Sequence, residues 1–260
     1  MTEELSGEER RVVQRAGPTI DGAPISYVIT SASIVAVLAF VPLSVVVGSG
    51  KSFPLSQSIY PLIGWLLGPV AGALADGIGA LGGVILAPHT TTNPLATILG
   101  ATLGGLAAGT MTNEKERRWW WIPLLFVFIV AYALYGVRAV VQNGAAWSVV
   151  LFATFINWSA LLLFALPTRR LVGNRLKSTD LKQLSTGLFL GTWIVAGLSH
   201  LSTATVVYFI INWPNENWLV FAPFAPIEHF IRALVGAVIG TGVIAGLRAA
   251  GVVMPRHARY

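Results

Sequence analysis

The chain has 260 residues, of which 17 are Lys or Arg and 11 are Asp or Glu, so 11% of the residues are charged and the net charge is +6. Soluble domains carry roughly 25% charged residues. Four stretches contain no Asp, Glu, Lys or Arg at all: residues 22–50, 77–113, 139–168 and 183–215. Each stretch is longer than the ~20 residues that span a bilayer core. The composition therefore predicts a multi-pass membrane protein and excludes a soluble enzyme, a nucleic-acid binder and a disordered chain.

Residue types that carry chemistry are scarce. Cysteine is absent, which excludes disulfides, thiolate metal sites, iron–sulfur clusters and cysteine nucleophiles. The four histidines are scattered without metal-ligand spacing, and the chain has no phosphate-binding loop, paired-histidine helix or nucleophile elbow. We therefore expect no metal, no cofactor, no enzymatic activity and no ATP hydrolysis by this chain.

Residues 1–24 are predicted to form a tail outside the membrane, and the first apolar run after them is predicted to stay in the membrane. Residues 1–24 include Glu3, Glu4, Glu8 and Glu9, and the apolar run that follows is longer than 20 residues. Such a start is too acidic and too long for a cleaved signal peptide. We expect a cytoplasmic N-terminal tail at 1–24, one transmembrane domain at 25–250 and a cytoplasmic C-terminal tail at 251–260.

Proline, glycine and polar clusters divide the apolar runs into about eight helical segments, which makes the expected fold an all-α membrane bundle. Several prolines lie at helix starts, where the missing N–H has no intrahelical partner to lose. No run alternates with the period of two that barrel strands need. The predicted segments are Ile25–Val47, Gln57–Leu67, Pro69–Ala87, Pro94–Met111, Ile122–Gln142, Ser148–Leu166, Gly187–Ile211 and Ile227–Leu247.

Charge placement decides whether residues 57–87 form one helix or two. A reversal at Gly68-Pro69 puts fourteen Lys and Arg residues in inside segments and only Lys51 in an outside loop. A straight helix leaves twelve inside and three outside. Because cytoplasmic loops are enriched in Lys and Arg, the reversal is favoured and both termini are predicted to be cytoplasmic. The outer loops are then 48–56, 88–93, 143–147 and 212–226.

Ionisable residues inside spans are the strongest functional indicators, because each costs on the order of 2.5–3.5 kcal/mol at a helix centre. Asp76 lies within the third segment. It either pairs with a polar group inside the bundle or has a functional role, and the sequence leaves both alternatives open. Glu228, His229 and Arg232 cluster near the outer end of the last segment. Glu228 and Arg232 can form an i, i+4 ion pair that closes the bundle, or the base of a site for an external ligand.

Tyr60-Pro-Leu-Ile-Gly-Trp-Leu-Leu-Gly-Pro-Val-Ala-Gly-Ala-Leu-Ala-Asp-Gly-Ile-Gly79 resembles the junction of the second and third helices in the substrate-binding (S) components of energy-coupling factor transporters. A loop ending at Pro94, a Gly-rich segment at 99–109 and the last segment from Pro226 to Arg248 are also similar to that family. Ala32 and Ala36 in the first segment are similar to the family's Ala-x-x-x-Ala contact with the membrane-embedded coupling subunit.

The resemblance implies a six-helix core that captures a vitamin or similar micronutrient outside the cell and works with a transmembrane coupling subunit and two ABC ATPases. Residues 119–167 then look like an added helical hairpin, and 48–56 would act as a flexible gate. Met1 is followed by Thr2 and not by the His of the family's cobalt and nickel branch, so an organic ligand is expected. The expected ligand-binding residues are Gln57, Tyr60, His89, Asn93, Trp213, Trp218, Glu228, His229 and Arg232.

Two other function classes remain open at this stage. A membrane enzyme or scaffold protein would use the polar residues for lipid chemistry or assembly. A self-sufficient secondary transporter would favour inverted repeats and helices broken near the midplane.

Overall fold

The computed structural model describes residues 17–46, 51–91, 93–111, 117–213 and 215–260. Most of this part of the chain is helical. The helices are α1 (Ile25–Leu38), α2 (Tyr60–Leu67), α3 (Pro69–Leu86), α4 (Pro94–Gly109), α5 (Trp121–Val137, continued by a π-helical turn at Arg138–Gln142), α6 (Trp147–Ala153), α7 (Phe155–Ala165), α8 (Thr168–Leu176), α9 (Leu181–Ile210) and α10 (Asn215–Ala249). Short 3-10 turns occupy Leu55–Ser58 and Pro88–Thr90.

The helices confirm a multi-pass membrane protein. Four continuous helical stretches are long and apolar enough to cross a bilayer: Pro69–Leu86, Trp121–Gln142, Leu181–Ile210 and Ala222–Ala249. Helices α6 and α7 meet the same criterion together but bend by 68° at their junction. Many large apolar side chains on these helices remain exposed in the isolated chain, as expected of surfaces that face lipid.

Helix α9 is the central element of the bundle. It packs against α4 and α10 as well as α5, α7 and α8. Its side chains contribute much of the main hydrophobic core, where Trp65 of α2 and Phe164 of α7 are fully buried. A second core lies between α1, α2, α3 and α4. Helices α5 to α7 therefore lie against one flank of α9, and α1 to α4 lie on the other.

The chain reverses at Gly68, where the predicted break occurs. Gly68 has φ +90, which an L side chain rarely adopts, and it separates α2 from α3. A Cβ on Gly72 would lie 2.6 Å from the Gly64 Cα, so the two helices pack back on each other through glycine. Such close contact is typical of helix pairs in lipid, where small residues allow the backbones to approach.

The same glycine packing buries Asp76. Its carboxyl group faces α4, where a Cβ on Gly105 would collide with Oδ2. Asp76 is fully buried, and both of its carboxyl oxygens lack a hydrogen-bond partner in the described part of the chain.

The first predicted span is corrected at its end. Helix α1 stops at Leu38, and Pro42–Val46 forms a strand, β3, where a helix to Val47 was predicted. Proline disfavours helix in the residue before it, and the valines that follow fit a pleated strand. Strand β3 pairs antiparallel with β4, Lys51–Pro54, so part of the predicted flexible gate at 48–56 is ordered as a hairpin arm. Residues 47–50 lie outside the described residues.

Three later boundaries also differ from the prediction. Helix α10 begins at Asn215, so most of the predicted loop 212–226 is helical and Pro223 and Pro226 lie inside a helix. Helix α9 begins at Leu181, because the Asp180 carboxylate caps it by accepting from the Lys182 N–H at 2.8 Å. The predicted span 148–166 is broken at Thr154.

Residues 19–24 and 256–259 contact each other and α2 at the end of the bundle opposite the end of α9. Residues Thr19–Ile20 and Ala23–Pro24 form a small hairpin of β1 and β2. The predicted C-terminal tail returns to this hairpin and to α2: the Arg256 N–H donates to the Gly22 carbonyl at 3.2 Å, and the Arg259 N–H donates to the Trp65 carbonyl at 2.7 Å.

Candidate functional site

A cavity of about 420 Å³ lies at the end of the bundle where α9 ends and α10 begins. Its size falls within the range of small-molecule sites. Its wall is mostly apolar with a few polar groups. The lining residues are Ser44, Phe53, Tyr135, Ala153, Asn157, His200, Thr203, Ala204, Val207, Trp213, Trp218, Phe224, Ala225, Ile227, Glu228 and Ile231.

Five structural elements meet around the cavity. The last three turns of α9 and the first half of α10 supply most of the wall, and α5 and the bent α6–α7 pair supply one side. The β3–β4 hairpin adds Ser44 and Phe53 from the first loop. Ser44 and Phe53 are distant in sequence from the rest of the wall. They reach the cavity because the β3–β4 hairpin folds against α10.

Four aromatic rings pack together on one side of the cavity. The rings of Tyr208 and Trp213 stack with their centroids 5.1 Å apart, and Trp218 lies 5.3 Å from Tyr135. Asn143 ties the loops behind them together by donating to the Tyr208 hydroxyl at 2.7 Å. Such rings provide flat apolar surface at a fixed position, which suits a planar ligand.

A buried ion pair lies at the opposite side. Arg232 donates to Glu228 Oε1 along one face of α10, and the Ser44 hydroxyl donates to the same oxygen at 2.9 Å. The Arg232 guanidinium lies 4.4 Å from the centre of the Phe53 ring. The pair thus attaches the β3–β4 hairpin to α10 by a hydrogen bond and a cation–π contact.

Two histidines and an asparagine form a second polar group beside the cavity. The His200 and His229 rings meet edge to face with centroids 5.0 Å apart. The Asn157 amide nitrogen lies 3.1 Å from the Gly197 carbonyl oxygen and 3.2 Å from His200 Nδ1. His229 Nδ1 lies 3.0 Å from the Ala225 carbonyl oxygen. This arrangement fixes the rings within otherwise apolar helices.

The structure brings together part of the predicted ligand-binding set. Trp213, Trp218 and Glu228 line the cavity. His229 and Arg232 lie directly behind it, through their contacts with His200 and Glu228.

The other four predicted residues lie elsewhere. Gln57 is half-buried in a 3-10 turn, Tyr60 packs against α4 near Gly104, and His89 is exposed. Asn93 caps α4, with its side-chain oxygen accepting from the Ala96 N–H at 2.9 Å. None of the four is among the described residues that line the cavity. The prediction placed these four residues at the site because they lie in or beside predicted outer loops. Those parts of the chain do not contribute to the cavity wall at these positions.

Sequence reasoning missed Asn157 and His200, although a signal was present. Both are polar residues within charge-free runs, where an intramembrane polar group usually has a bundle-facing partner or function. Ser44 and Phe53 gave no such signal, because their position depends on the β3–β4 hairpin.

Ala32 and Ala36 lie on the side of α1 that contacts α3, where Ala32 is buried and Ala36 is half-exposed. Ala32 is buried against α3, since a Cβ on Gly79 would lie 2.7 Å from the Ala32 carbonyl oxygen. A Cβ on Gly82 would lie 3.1 Å from Ala36 Cβ. The small residues serve packing between α1 and α3, and the outward face of α1 instead carries Ile29 and Ser33.

The site is arranged for binding. In the described residues no group of three His, Cys, Asp or Glu side chains is close enough to hold a metal ion. Aromatic rings and a few polar groups form the wall of the cavity. No protein-family model, curated protein or solved structure matches the chain.

Proposed function

We propose that this protein is the substrate-binding subunit of an energy-coupling factor transporter, capturing a small organic micronutrient from outside for uptake driven by a separate coupling subunit and ATPases. The cavity carries the proposal: it is walled by aromatic rings and lies at the end of the bundle that the Lys and Arg distribution predicts to be outside.

Two further features support a subunit that depends on partners. The sequence has no nucleotide-binding motif, so energy for uptake has to come from another chain. The β3–β4 hairpin contributes Ser44 and Phe53 to the cavity wall from the first loop, so a movement of this hairpin would open the cavity without unfolding a helix.

A self-sufficient secondary transporter is the second candidate, and Asp76 favours it. A buried carboxyl group without a hydrogen-bond partner is costly and is usual in proton pathways of membrane proteins. On this alternative, uptake would persist without any ATPase and would be lost in Asp76→Asn.

The test is purification of the protein from its native membrane in mild detergent, followed by identification of bound chains and small molecules by mass spectrometry. We expect two ABC ATPases, one further membrane subunit and a tightly bound small molecule. Deleting the gene should then abolish uptake of that molecule.

Recovery of the protein with neither ATPases nor ligand would contradict the proposal. ATPase-independent uptake that Asp76→Asn abolishes would establish the second candidate instead.

A further inference from the structure

We propose that the cavity selects a neutral or singly cationic nitrogen heteroaromatic compound and rejects compounds that carry a carboxylate or phosphate at the ring. This inference rests on the proposed role of the cavity as a substrate site and adds the chemical class of the substrate. Its basis is the charge and hydrogen-bonding pattern of the wall.

The wall favours a flat ring. Tyr135, Trp213 and Trp218 all line the cavity and contact each other with centroid separations of 5.3–6.3 Å. Ring stacking and edge contacts of this kind bind aromatic compounds and attract a cation to the ring faces. Volume and shape therefore admit a ring system of one or two fused rings.

The wall carries one carboxylate, and Arg232 pairs with it from behind the wall. Among the described lining residues, Glu228 is the only Asp, Glu, Lys or Arg. Arg232 lies behind the wall, where its guanidinium is occupied by Glu228 and covered by the Phe53 ring. An anionic ligand would meet an acidic group in an apolar environment without a free cation, and such an arrangement is strongly unfavourable.

Glu228 retains an acceptor for a ligand. Arg232 and Ser44 both donate to Oε1, and the described residues provide no hydrogen-bond partner for Oε2. A carboxylate oxygen accepts from ring N–H, amino or amidinium groups, and a charged donor strengthens that bond.

His200 supplies a donor. The Gly197 carbonyl can only accept, so the Asn157 group that faces it is the amide NH₂. The same NH₂ group faces His200 Nδ1, which must then be the unprotonated nitrogen. The neutral tautomer assigned by this network carries its proton on Nε2, so this residue of the cavity wall has a hydrogen-bond donor that the Asn157 contact does not use.

A donor and an acidic acceptor on an aromatic-walled cavity are complementary to a ring with an unprotonated nitrogen or carbonyl and a separate amino or N–H group. Amino-substituted azines have this pattern. Ring carboxylates have two acceptors and a negative charge, so they oppose Glu228.

The test is isothermal titration calorimetry on the purified full-length protein with three bicyclic probes of similar shape: 4-aminoquinoline, which is a cation at neutral pH, neutral quinoline-4-carboxamide and anionic quinoline-4-carboxylate. We expect the cation to bind about 10- to 100-fold more tightly than the anion, the range that a hydrogen bond to a charged group provides. The carboxamide should fall between them.

Two matched variants locate the preference. Glu228→Gln removes the charge and retains the shape, so cation binding should weaken about 10-fold and anion binding should improve as Arg232 loses its partner. Glu216→Gln makes the same change on the same helix at an exposed position, and it should leave the order of the probes unchanged.

The order of the three probe affinities in the unaltered protein can by itself contradict the inference. This test therefore does not depend on whether the variants fold. Tightest binding of the carboxylate, or binding of none of the three probes, would do so. A protein that ranks the probes as expected but purifies without ATPases would instead contradict only the proposed transporter function, because the calorimetry requires no partner.

Discussion

The buried residues Arg169 and Asp76 differ in how their polar atoms are satisfied. The Arg169 guanidinium donates to the last carbonyls of α7, including those of Ala165 and Leu166 at 2.8 Å, and lies 3.5 Å from the centre of the Trp121 ring. Asp76 differs, since its carboxyl group is buried without a hydrogen bond in the described part of the chain. A polar group at this depth is stable only when its environment compensates for lost water, so Asp76 is the residue whose role the packing explains least.

Asp21, which lies outside the membrane-spanning helices, predicts how the stability of the fold depends on pH. Hydrogen bonds from Arg117 lower the pKa of Asp21 below its ordinary value of 3.8, against the opposing effect of partial burial, and the charges of Arg117 and His257 also lower it. A carboxyl with a depressed folded-state pKa stabilises the fold above its unfolded-state pKa, and this stabilisation is lost as pH falls through the folded-state value.

We therefore expect Asp21→Asn to lower Tm at pH 7 and the difference from the native protein to shrink below about pH 4. Thermal unfolding in detergent across this pH range measures it. Asp180→Asn is the matched control, because Asn also caps helices well and the described structure shows no ion pair at Asp180. A Tm difference for Asp21→Asn that is constant with pH would contradict the assignment.

At the scale of elements, small residues determine how closely the helices approach. Gly64 and Gly72 allow α2 and α3 to fold back on each other, and Gly79 and Gly83 accept α1. In sequence, the four-residue spacing of Ala32 and Ala36 in α1 resembles a contact with a coupling subunit. The structure assigns it to internal packing because α3 already covers Ala32.

Because Ala32 is buried and Ser33 is exposed, substitutions at these two neighbouring residues should differ in their effect on stability. Ala32→Leu should destabilise the protein by about 1–3 kcal/mol, because the added side chain enters a buried position of α1, the helix that packs against α3. Ser33→Leu adds a similar side chain on the exposed face and should leave thermal stability nearly unchanged. Thermal unfolding of both variants in the same detergent is the measurement.

Equal stability of the two variants would contradict the packing of α1 against α3. The Ser33→Leu variant also tests the proposed function, because a bulky residue on the outward face of α1 should reduce co-purification of a coupling subunit if that face is its contact.

At the scale of the whole molecule, the two ends of α9 differ in chemistry. The α8 end carries the basic residues of 169–182, whereas the other end carries the aromatic cluster and the cavity. Helix α9 has 30 residues and so separates the two ends by about 45 Å. The positive-inside rule assigns the α8 end to the cytoplasm.

The absence of native cysteine makes this orientation directly testable. In intact cells, a membrane-impermeant maleimide should label Asn215→Cys, beyond the end of α9, and fail to label Lys177→Cys, before its start. Both positions are exposed, so a permeant maleimide should label both and serves as the control. Labelling of Lys177→Cys alone would reverse the orientation and place the cavity on the cytoplasmic side.

The sequence by itself determined the membrane class, the approximate positions of the apolar helices and the break at Gly68, because charge-free length, proline and glycine act locally. It also predicted that Trp213, Trp218 and Glu228 lie near one another, because the predicted loop 212–226 leads directly into the last predicted segment at Ile227.

Only the tertiary structure decided the remainder of the site. Asn157 and His200 come from helices that meet by packing, and Ser44 reaches Glu228 across 184 positions of sequence. The β3–β4 hairpin that carries Ser44 and Phe53 and the helical start of α10 are stabilised by contacts between distant segments, and neither local propensity nor hydrophobic period encodes such contacts.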